Sequence, residues 1–155
     1  MHDTFLRRAI ELAKEHSFTG DKGPFGAVVV LNNKIIGEGW NQVVESKDPS
    51  AHAEVVAIRN ACKNIDSFDL QNAVMYTSCE PCPMCLAAVY WARIEKVYYA
   101  CSRYDAADAG FDDKVIYDEF ILPEEEKKIK LFHSLHKEGK EVFEMWISNP
   151  QKIMY

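Results

Sequence analysis

Hydrophobic residues in the first part of the chain follow the spacing of one helix and then of two strands. Over residues 2–15 they recur with a helical period, which predicts an amphipathic helix. Residues 24–31 and Lys34–Trp40 are two β-rich runs joined by Asn32-Asn33, a pair that tolerates positive φ. We therefore expect a helix followed by an antiparallel hairpin.

The middle of the chain alternates helical and extended patterns. Residues 51–63 and Pro83–Trp91 predict two helices that are apolar on most sides, whereas residues 73–78 and 96–100 predict short strands. The second helix then connects two strands that should lie parallel. Such alternation of helices and strands predicts an α/β fold, a three-layer α/β/α sandwich.

The pattern becomes weaker towards the C-terminus. Residues 102–113 are acidic and rich in Ala and Gly, as is typical of a loop or a broken helix. A short helix is predicted over residues 114–122, ended by Pro123, and a last helix over residues 138–148. Residues 130–135 predict a last strand. With that strand the sheet is mixed and five-stranded.

The length and composition bound the architecture and the partners. The chain has 155 residues, of which 48% are hydrophobic, enough for one core but too short for two ordinary domains. We therefore expect residues 1–155 to form a single domain. The net charge of -6 argues against a nucleic-acid partner, because phosphate binding needs clustered Lys and Arg. A small neutral substrate fits better.

Neither a secretory signal nor a membrane segment is visible in the sequence. The N-terminal residues contain no apolar core of signal-peptide length, and the longest apolar run, residues 86–92, is far shorter than the roughly 20 residues that span a bilayer. Three of the five cysteines are crowded together, which suits reduced thiols that bind metal better than a disulfide framework. We expect a cytoplasmic protein with no membrane partner.

Three residues have the types and spacing of zinc ligands. Cys82 and Cys85 lie three positions apart at the start of a predicted helix, so both sulfurs point to one face, and His52 opens the preceding helix. A set of two sulfurs and one nitrogen leaves the fourth tetrahedral position to water, as in catalytic zinc sites. We expect one Zn²⁺ per subunit.

Glu54 stands two residues after the predicted histidine ligand and completes a known signature. H-x-E together with P-C-x-x-C is the established pattern of zinc deaminases, in which the glutamate carries protons. A closed structural zinc site with Cys79 or Cys101 as fourth ligand is the alternative, but it leaves Glu54 as a costly unpaired buried carboxylate. A thioredoxin-like use of Cys82 and Cys85 would ignore Glu54 altogether.

Two further candidates are less specific. Asn41 ends the second strand of the hairpin, and its amide can both donate to and accept from a purine edge if it points into a pocket. His133 and His136 also have a possible ligand spacing, but no thiol or carboxylate lies nearby in the sequence, so we expect two surface histidines.

Several segments of the chain are motifs of a known family. The wider segments are Thr4-Phe-Leu-Arg-Arg-Ala, Gly23-Pro-Phe-Gly-Ala-Val, Asp48-Pro-Ser-Ala-His-Ala-Glu54, Tyr76-Thr-Ser-Cys-Glu-Pro-Cys-Pro-Met-Cys85 and Tyr90-Trp-Ala-Arg93. A narrower one is the acidic stretch Asp105-Ala-Ala-Asp-Ala-Gly-Phe-Asp-Asp113 with Ile116-Tyr117. With these segments the chain resembles the bacterial guanine deaminases of the cytidine deaminase superfamily over residues 4 to about 120. The wider segments would also suit tRNA adenosine deaminases and fungal-type cytosine deaminases, whereas the acidic stretch resembles the guanine-specific segment.

The resemblance implies a reaction and a role for each matching residue. The reaction is hydrolysis of guanine to xanthine and ammonia, in purine salvage or catabolism, on a cytidine deaminase-like fold. Guanosine is the nearest alternative substrate, cytosine and tRNA adenosine are more distant ones, and a zinc-dependent binding module is the non-enzymatic alternative. The implied roles are zinc ligation by His52, Cys82 and Cys85, acid/base catalysis by Glu54, and substrate contacts by Asn41, Phe25, Asp113 and Tyr155.

The resemblance also implies an assembly. Similar enzymes form homodimers in which the C-terminal segment can cross to the partner subunit and close its pocket. Carried to this chain, the segment from about residue 123 is expected to pack on a partner, in a domain-swapped homodimer.

Overall fold

The computed structural model describes residues 2–155. Helices and strands fall largely where the periodicity predicts them, with α2 and α5 as short additions. In chain order the elements are α1 (His2–Ser17), β1 (Gly26–Leu31), β2 (Lys34–Trp40), α2 (Val43–Ser46), α3 (Ala53–Ile65), β3 (Val74–Cys79), α4 (Pro83–Trp91), β4 (Lys96–Cys101), α5 (Arg103–Asp108), α6 (Lys114–Ile121) and α7 (His136–Ser148).

The strands form a mixed sheet in the order β2-β1-β3-β4. β1 runs antiparallel to β2 and to β3, and β4 runs parallel to β3. The described residues give this sheet four strands, so the predicted fifth strand over residues 130–135 is wrong. Leu131 and Phe132 are 73% and 91% exposed, and a β-rich run without a hydrogen-bonded neighbour or a packed face does not form a strand.

The hairpin of β1 and β2 has the predicted turn. Asn32 and Asn33 take φ values of 50° and 61°, the left-handed region in which asparagine is tolerated. Side chains of β1 then alternate between the two faces of the sheet. Val28 packs with Leu12 of α1, whereas Val29 packs in the cluster formed with α3 and α4.

Both faces of the sheet are covered by helices, which gives the predicted three layers. α1 lies so close to β1 that a Cβ on Gly26 would come within 2.3 Å of the carbonyl oxygen of Ala9. On the opposite face, a Cβ on Gly39 would come within 2.3 Å of the carbonyl oxygen of Ala53 in α3. Glycine therefore permits the helix backbones to approach the strands, and this fixes where the N-terminus of α3 lies over the sheet.

The chain divides into two compact units, one ending at Tyr117 and the other spanning Asp118–Tyr155. The first unit contains the whole sheet and both hydrophobic clusters. The second contains α7, and every residue of it is at least partly exposed. No helix within residues 2–155 combines the length and the apolar character needed to cross a bilayer.

Candidate metal centre and substrate cavity

Two helix N-termini supply the residues that were predicted to bind zinc. His52 is the N-cap of α3 and Cys82 is the N-cap of α4, both with extended backbone, and Pro83 occupies the first turn of α4. A proline there costs no hydrogen bond, because the N–H groups of a first turn lack intrahelical partners. Cys85 follows on the same helix and is fully buried. The donor atoms thus sit on short, rigid helix ends rather than on loops.

The separations of these donor atoms match those of a tetrahedral zinc site. The Nδ1 atom of His52 lies 3.6 Å from the Sγ of Cys82 and 3.5 Å from the Sγ of Cys85. Zinc bonds of about 2.3 Å to sulfur and about 2.0 Å to nitrogen, at tetrahedral angles, require a sulfur–nitrogen separation of about 3.6 Å. All three atoms lie within 4.8 Å of one another, so this group could hold one metal ion.

The charges in this group favour a cation. Hydrogen bonds with Cys85 and His52 lower the pKa of the Cys82 thiol well below its usual range. The hydrogen bond with Cys82 in turn raises the pKa of Cys85, since a second thiolate is unfavourable beside the first. A bound metal ion removes that conflict, because it stabilises both sulfurs as thiolates.

Glu54 is a buried carboxyl group beside the metal group. It lies in the first turn of α3 and is only 6% exposed. Burial is the main cause that raises its pKa above the ordinary range, and the negative charge of Cys82 adds to it. A carboxyl group in this environment holds a proton more readily than an exposed one, as a group that returns protons to a substrate requires.

A cavity of about 290 Å³ opens beside the metal group and is lined by ring, amide and carboxyl side chains. Phe25 and Phe111 form an edge-to-face pair with centroids 4.8 Å apart. The Oδ1 of Asn41 accepts the backbone N–H of Val43 at 3.3 Å, so its amide N–H₂ group is the donor that remains for a ligand. The lining also includes His52, Glu54, Glu80, Cys82 and Asp113.

Asp113 brings a second carboxyl group to this cavity. It lies between α5 and α6, after Gly110, whose φ of 92° favours glycine. α5 is started by a reciprocal capping box, in which the Ser102 side chain accepts the N–H of Asp105 and the Asp105 side chain accepts the N–H of Ser102. Burial raises the pKa of Asp113, and the charge of Cys82 contributes.

The other predicted candidates lie outside this cluster. Cys79 is not part of the three-residue metal group. Its Sγ donates to the carbonyl oxygen of Ser102 at 3.5 Å, and burial raises its pKa to about 12. His133 and His136 are exposed in the second unit, as expected of surface histidines. Tyr155 is an exposed residue at the end of that unit, and its substrate contact stays a prediction.

Four cavity residues have no predicted role, namely Glu80, Gly110, Phe111 and Asp112. Phe111 lies within the acidic stretch that carries the narrower family resemblance, so that resemblance could have indicated Phe111 as a cavity residue. Glu80 lies between Cys79 and the PCxxC motif, where nothing in the local pattern distinguishes a cavity residue from a surface one.

A family model describes the first two thirds of the chain. Residues 1–101 match the cytidine and deoxycytidylate deaminase zinc-binding region. All of β1 to β4, both helices of the metal group and Glu54 fall inside this match, whereas Asp113 falls after it.

Similar proteins of known name extend this comparison. Guanine deaminase from Bacillus subtilis is 50% identical over 99% of both chains, and its X-ray structure superposes with a TM-score of 0.95 over 100% of this chain and 99% of that one. The guanine deaminase structure from Nitrosomonas europaea is 31% identical, with a TM-score of 0.65 over 70% of this chain and 63% of that one. A tRNA-specific adenosine deaminase from Haemophilus influenzae is 36% identical over 90% of this chain and 87% of its own.

Proposed function

The chain belongs to the family that carries the cytidine and deoxycytidylate deaminase zinc-binding region, and we propose that its own reaction is the hydrolysis of guanine to xanthine and ammonia. One observation carries the proposal: a buried carboxyl group, Glu54, and a half-buried one, Asp113, line one purine-sized cavity beside a metal group. Similarity to guanine deaminases over the full length of the chain supports the same substrate.

In this proposal His52, Cys82 and Cys85 hold one zinc ion, because their donor set and spacing fit it. A zinc ion in such a site would supply hydroxide at neutral pH by lowering the pKa of a bound water to about 7. Glu54 would accept the two protons of the attacking water in turn, and deliver one to a ring nitrogen and the other to the departing amine. Its burial raises its pKa, which favours the protonated form that donates to the substrate.

The substrate contacts follow from the chemistry of guanine. The leaving amine of guanine is on C2, between two ring nitrogens, so an acceptor facing that amine favours guanine over a base without it. Asp113 is the side chain we assign to this contact. The free N–H₂ group of Asn41 suits the acceptor atoms of the opposite edge, and Phe25 packs beside the ring. These roles are proposals for the residues that line the cavity.

A second substrate is favoured by one specific feature. A neighbouring cavity of about 370 Å³ shares Asn41, His52 and Phe111 with the first and continues towards Lys22 and Val44. This additional volume would admit a ribose, so guanosine is the second candidate substrate. A tRNA substrate is disfavoured because the chain carries a net charge of -6.

Ammonia release from guanine, guanosine, cytosine and adenine, with zinc measured on the same sample, tests the proposal. Guanine should be turned over with the highest kcat/KM, by a protein with one zinc ion per chain. A preference for guanosine would make the nucleoside the substrate, and preference for cytosine or adenine would refute the proposal. Zinc binding without ammonia release would indicate a binding module.

We also propose a homodimer in the cytoplasm. The helix α7 has several large apolar side chains that are exposed, among them Phe143 and Met145 at 70% and 74%, and such surfaces usually mark protein contacts. A second copy of the chain is the partner we assign, with Tyr155 reaching the partner's cavity in a domain-swapped pair. The five free cysteines of the described chain agree with a reducing compartment.

Complementation between two inactive variants tests the swapped arrangement. A chain lacking residues 152–155 keeps Glu54, and a full-length Glu54→Gln chain keeps Tyr155. If Tyr155 acts in trans, mixing the two in equal amounts and refolding them should restore about a quarter of the activity, because half of the dimers are mixed and each mixed dimer contains one complete site of two. An unaffected rate in the truncated chain would exclude Tyr155 as a lid, and sedimentation as a 17.7 kDa monomer would exclude the dimer.

A further inference from the structure

A network of contacts connects Glu80 and Pro81, which precede Cys82, with Arg103 and Tyr117, which lie on either side of Asp113 in the sequence. The Oε1 of Glu80 accepts from the Nη2 of Arg103 at 2.5 Å, and its Oε2 accepts the backbone N–H of Arg103 at 3.0 Å. The side chain of Glu80 is only 17% exposed, so water competes little for these contacts. Glu80 therefore fixes the beginning of α5.

Tyr117 completes this network, because it contacts both Arg103 and Pro81. The guanidinium carbon of Arg103 lies 3.7 Å from the centroid of the Tyr117 ring, a cation–π contact. The hydroxyl of Tyr117 donates to the carbonyl oxygen of Pro81 at 2.6 Å. Arg103 thus touches both Glu80 and Tyr117, and Tyr117 returns to the residue directly before Cys82.

The geometry restrains both ends of the segment that carries Phe111 and Asp113. Arg103 precedes this segment and Tyr117 follows it, and both are held by Glu80 and Pro81. Phe111 and Asp113 line the cavity, whereas Arg103 and Tyr117 do not. Their effect on a substrate therefore passes through the segment between them or through Glu80, which also lines the cavity.

We propose that Arg103, with Glu80 and Tyr117, is a positioning residue that sets how far the Asp113 carboxyl group stands from the metal group, and thereby the preference for a 2-aminopurine. The inference rests on the proposed function, in which Asp113 faces the 2-amino group. Lysine cannot replace Arg103, because an ammonium lacks the planar fork and stacks less well on the Tyr117 ring.

An ion pair that only stabilises the fold predicts a different result. Exposed pairs contribute roughly 0–1 kcal/mol and do not change the choice between two purines. Guanine and hypoxanthine differ only in the 2-amino group, so the ratio of their dissociation constants reports on the Asp113 contact. Measurement in a Glu54→Gln background prevents consumption of guanine.

The test compares Arg103→Lys and Tyr117→Phe with Arg59→Lys, a matched change at an ion pair with Asp48 outside the cavity. We expect Arg103→Lys to weaken guanine binding about tenfold or more, since displacements on the order of 1 Å have effects of this size or larger. Hypoxanthine binding and zinc content should stay within about twofold, and Tyr117→Phe should give a smaller loss in the same direction. Arg59→Lys should change none of these.

Two results would overturn the inference. One is a ratio of guanine to hypoxanthine affinity that both variants leave unchanged. The other is an equal loss for the two purines, which would mean a general loss of the fold. If the wild-type chain releases no ammonia from guanine, the proposed reaction is wrong, while the binding ratio still decides the role of Arg103.

Discussion

Replacement of Glu54 by glutamine separates proton transfer from metal binding. Glutamine keeps the volume and a hydrogen-bond acceptor at a position that is 6% exposed, but it cannot carry a proton. General acid–base catalysis contributes about 10²- to 10⁴-fold in rate, which corresponds to about 3–5 kcal/mol in the activation free energy. Because the proposed role of Glu54 includes more than one proton transfer, we expect a loss at the upper end of that range.

The assay follows ammonia release from guanine, with zinc content and thermal unfolding measured on the same preparations. Zinc content should not change, because Glu54 is not one of the three donor residues. The melting temperature should not fall either, since burial disfavours the charged form of Glu54 and glutamine removes that charge. Glu95→Gln, the same change at an exposed residue, is the control and should keep full activity.

The reasoning fails if Glu54→Gln retains more than about a tenth of the wild-type kcat, because proton transfer would then be supplied by another group. It also fails if activity and zinc are lost together, since Glu54 would then act on the metal rather than on the substrate. A loss of activity together with a lower melting temperature would show that the carboxyl group supports the fold.

Three further changes test the contact with guanine, the ligand set and the packing of the layers. Asp113→Asn should raise KM for guanine about 10- to 100-fold with zinc unchanged, because a hydrogen bond to a charged group contributes about 1.5–3 kcal/mol; an unchanged KM would remove it from substrate binding. Cys85→Ser should lower bound zinc, measured by elemental analysis, whereas Cys79→Ser should not; equal losses would make Cys79 a ligand. Gly39→Ala should lower the unfolding free energy by about 1–3 kcal/mol, because the added Cβ would lie 2.3 Å from a helix carbonyl oxygen. Gly139→Ala in the exposed α7 should raise the unfolding free energy by up to about 1 kcal/mol, because alanine favours a helix more than glycine does. Denaturant titrations that give the reverse order would contradict this account of how the layers pack.

Local patterns were sufficient to predict most of the fold and the metal group. The apolar periodicity predicted α1, α3, α4 and the strands β1, β2 and β3, since each of these has buried residues. β4 was predicted from its β-rich composition, although five of its six residues are exposed. The metal group was predictable because its donors lie at helix starts, where a spacing of three residues fixes which side chains share a face. Residues 130–135 were misread because a β-rich composition does not reveal whether a neighbouring strand exists.

Contacts between residues distant in the sequence could not be predicted in this way. The pair of Glu80 with Arg103 spans 23 positions, and the hydrogen bond of Tyr117 to Pro81 spans 36. Neither contact can be predicted from the spacing of hydrophobic residues, because the sequence does not show whether a polar loop residue faces solvent or another loop. The family resemblance indicated the stretch containing Asp113, and only the fold explains how that stretch is held.

The match to the family model ends at residue 101, before the segment that carries Asp113, and this has a consequence for substrate choice. The metal donors and Glu54 lie within the family-matched region, on two helix ends that are packed against the sheet, so a change there would disturb the reaction itself. Asp113 lies after that region, on a segment whose ends form hydrogen bonds with Glu80 and Pro81. A different segment could therefore present another group to the same metal centre without rebuilding the core. We therefore expect an exchange of residues 102–117 to alter the substrate before it alters the fold.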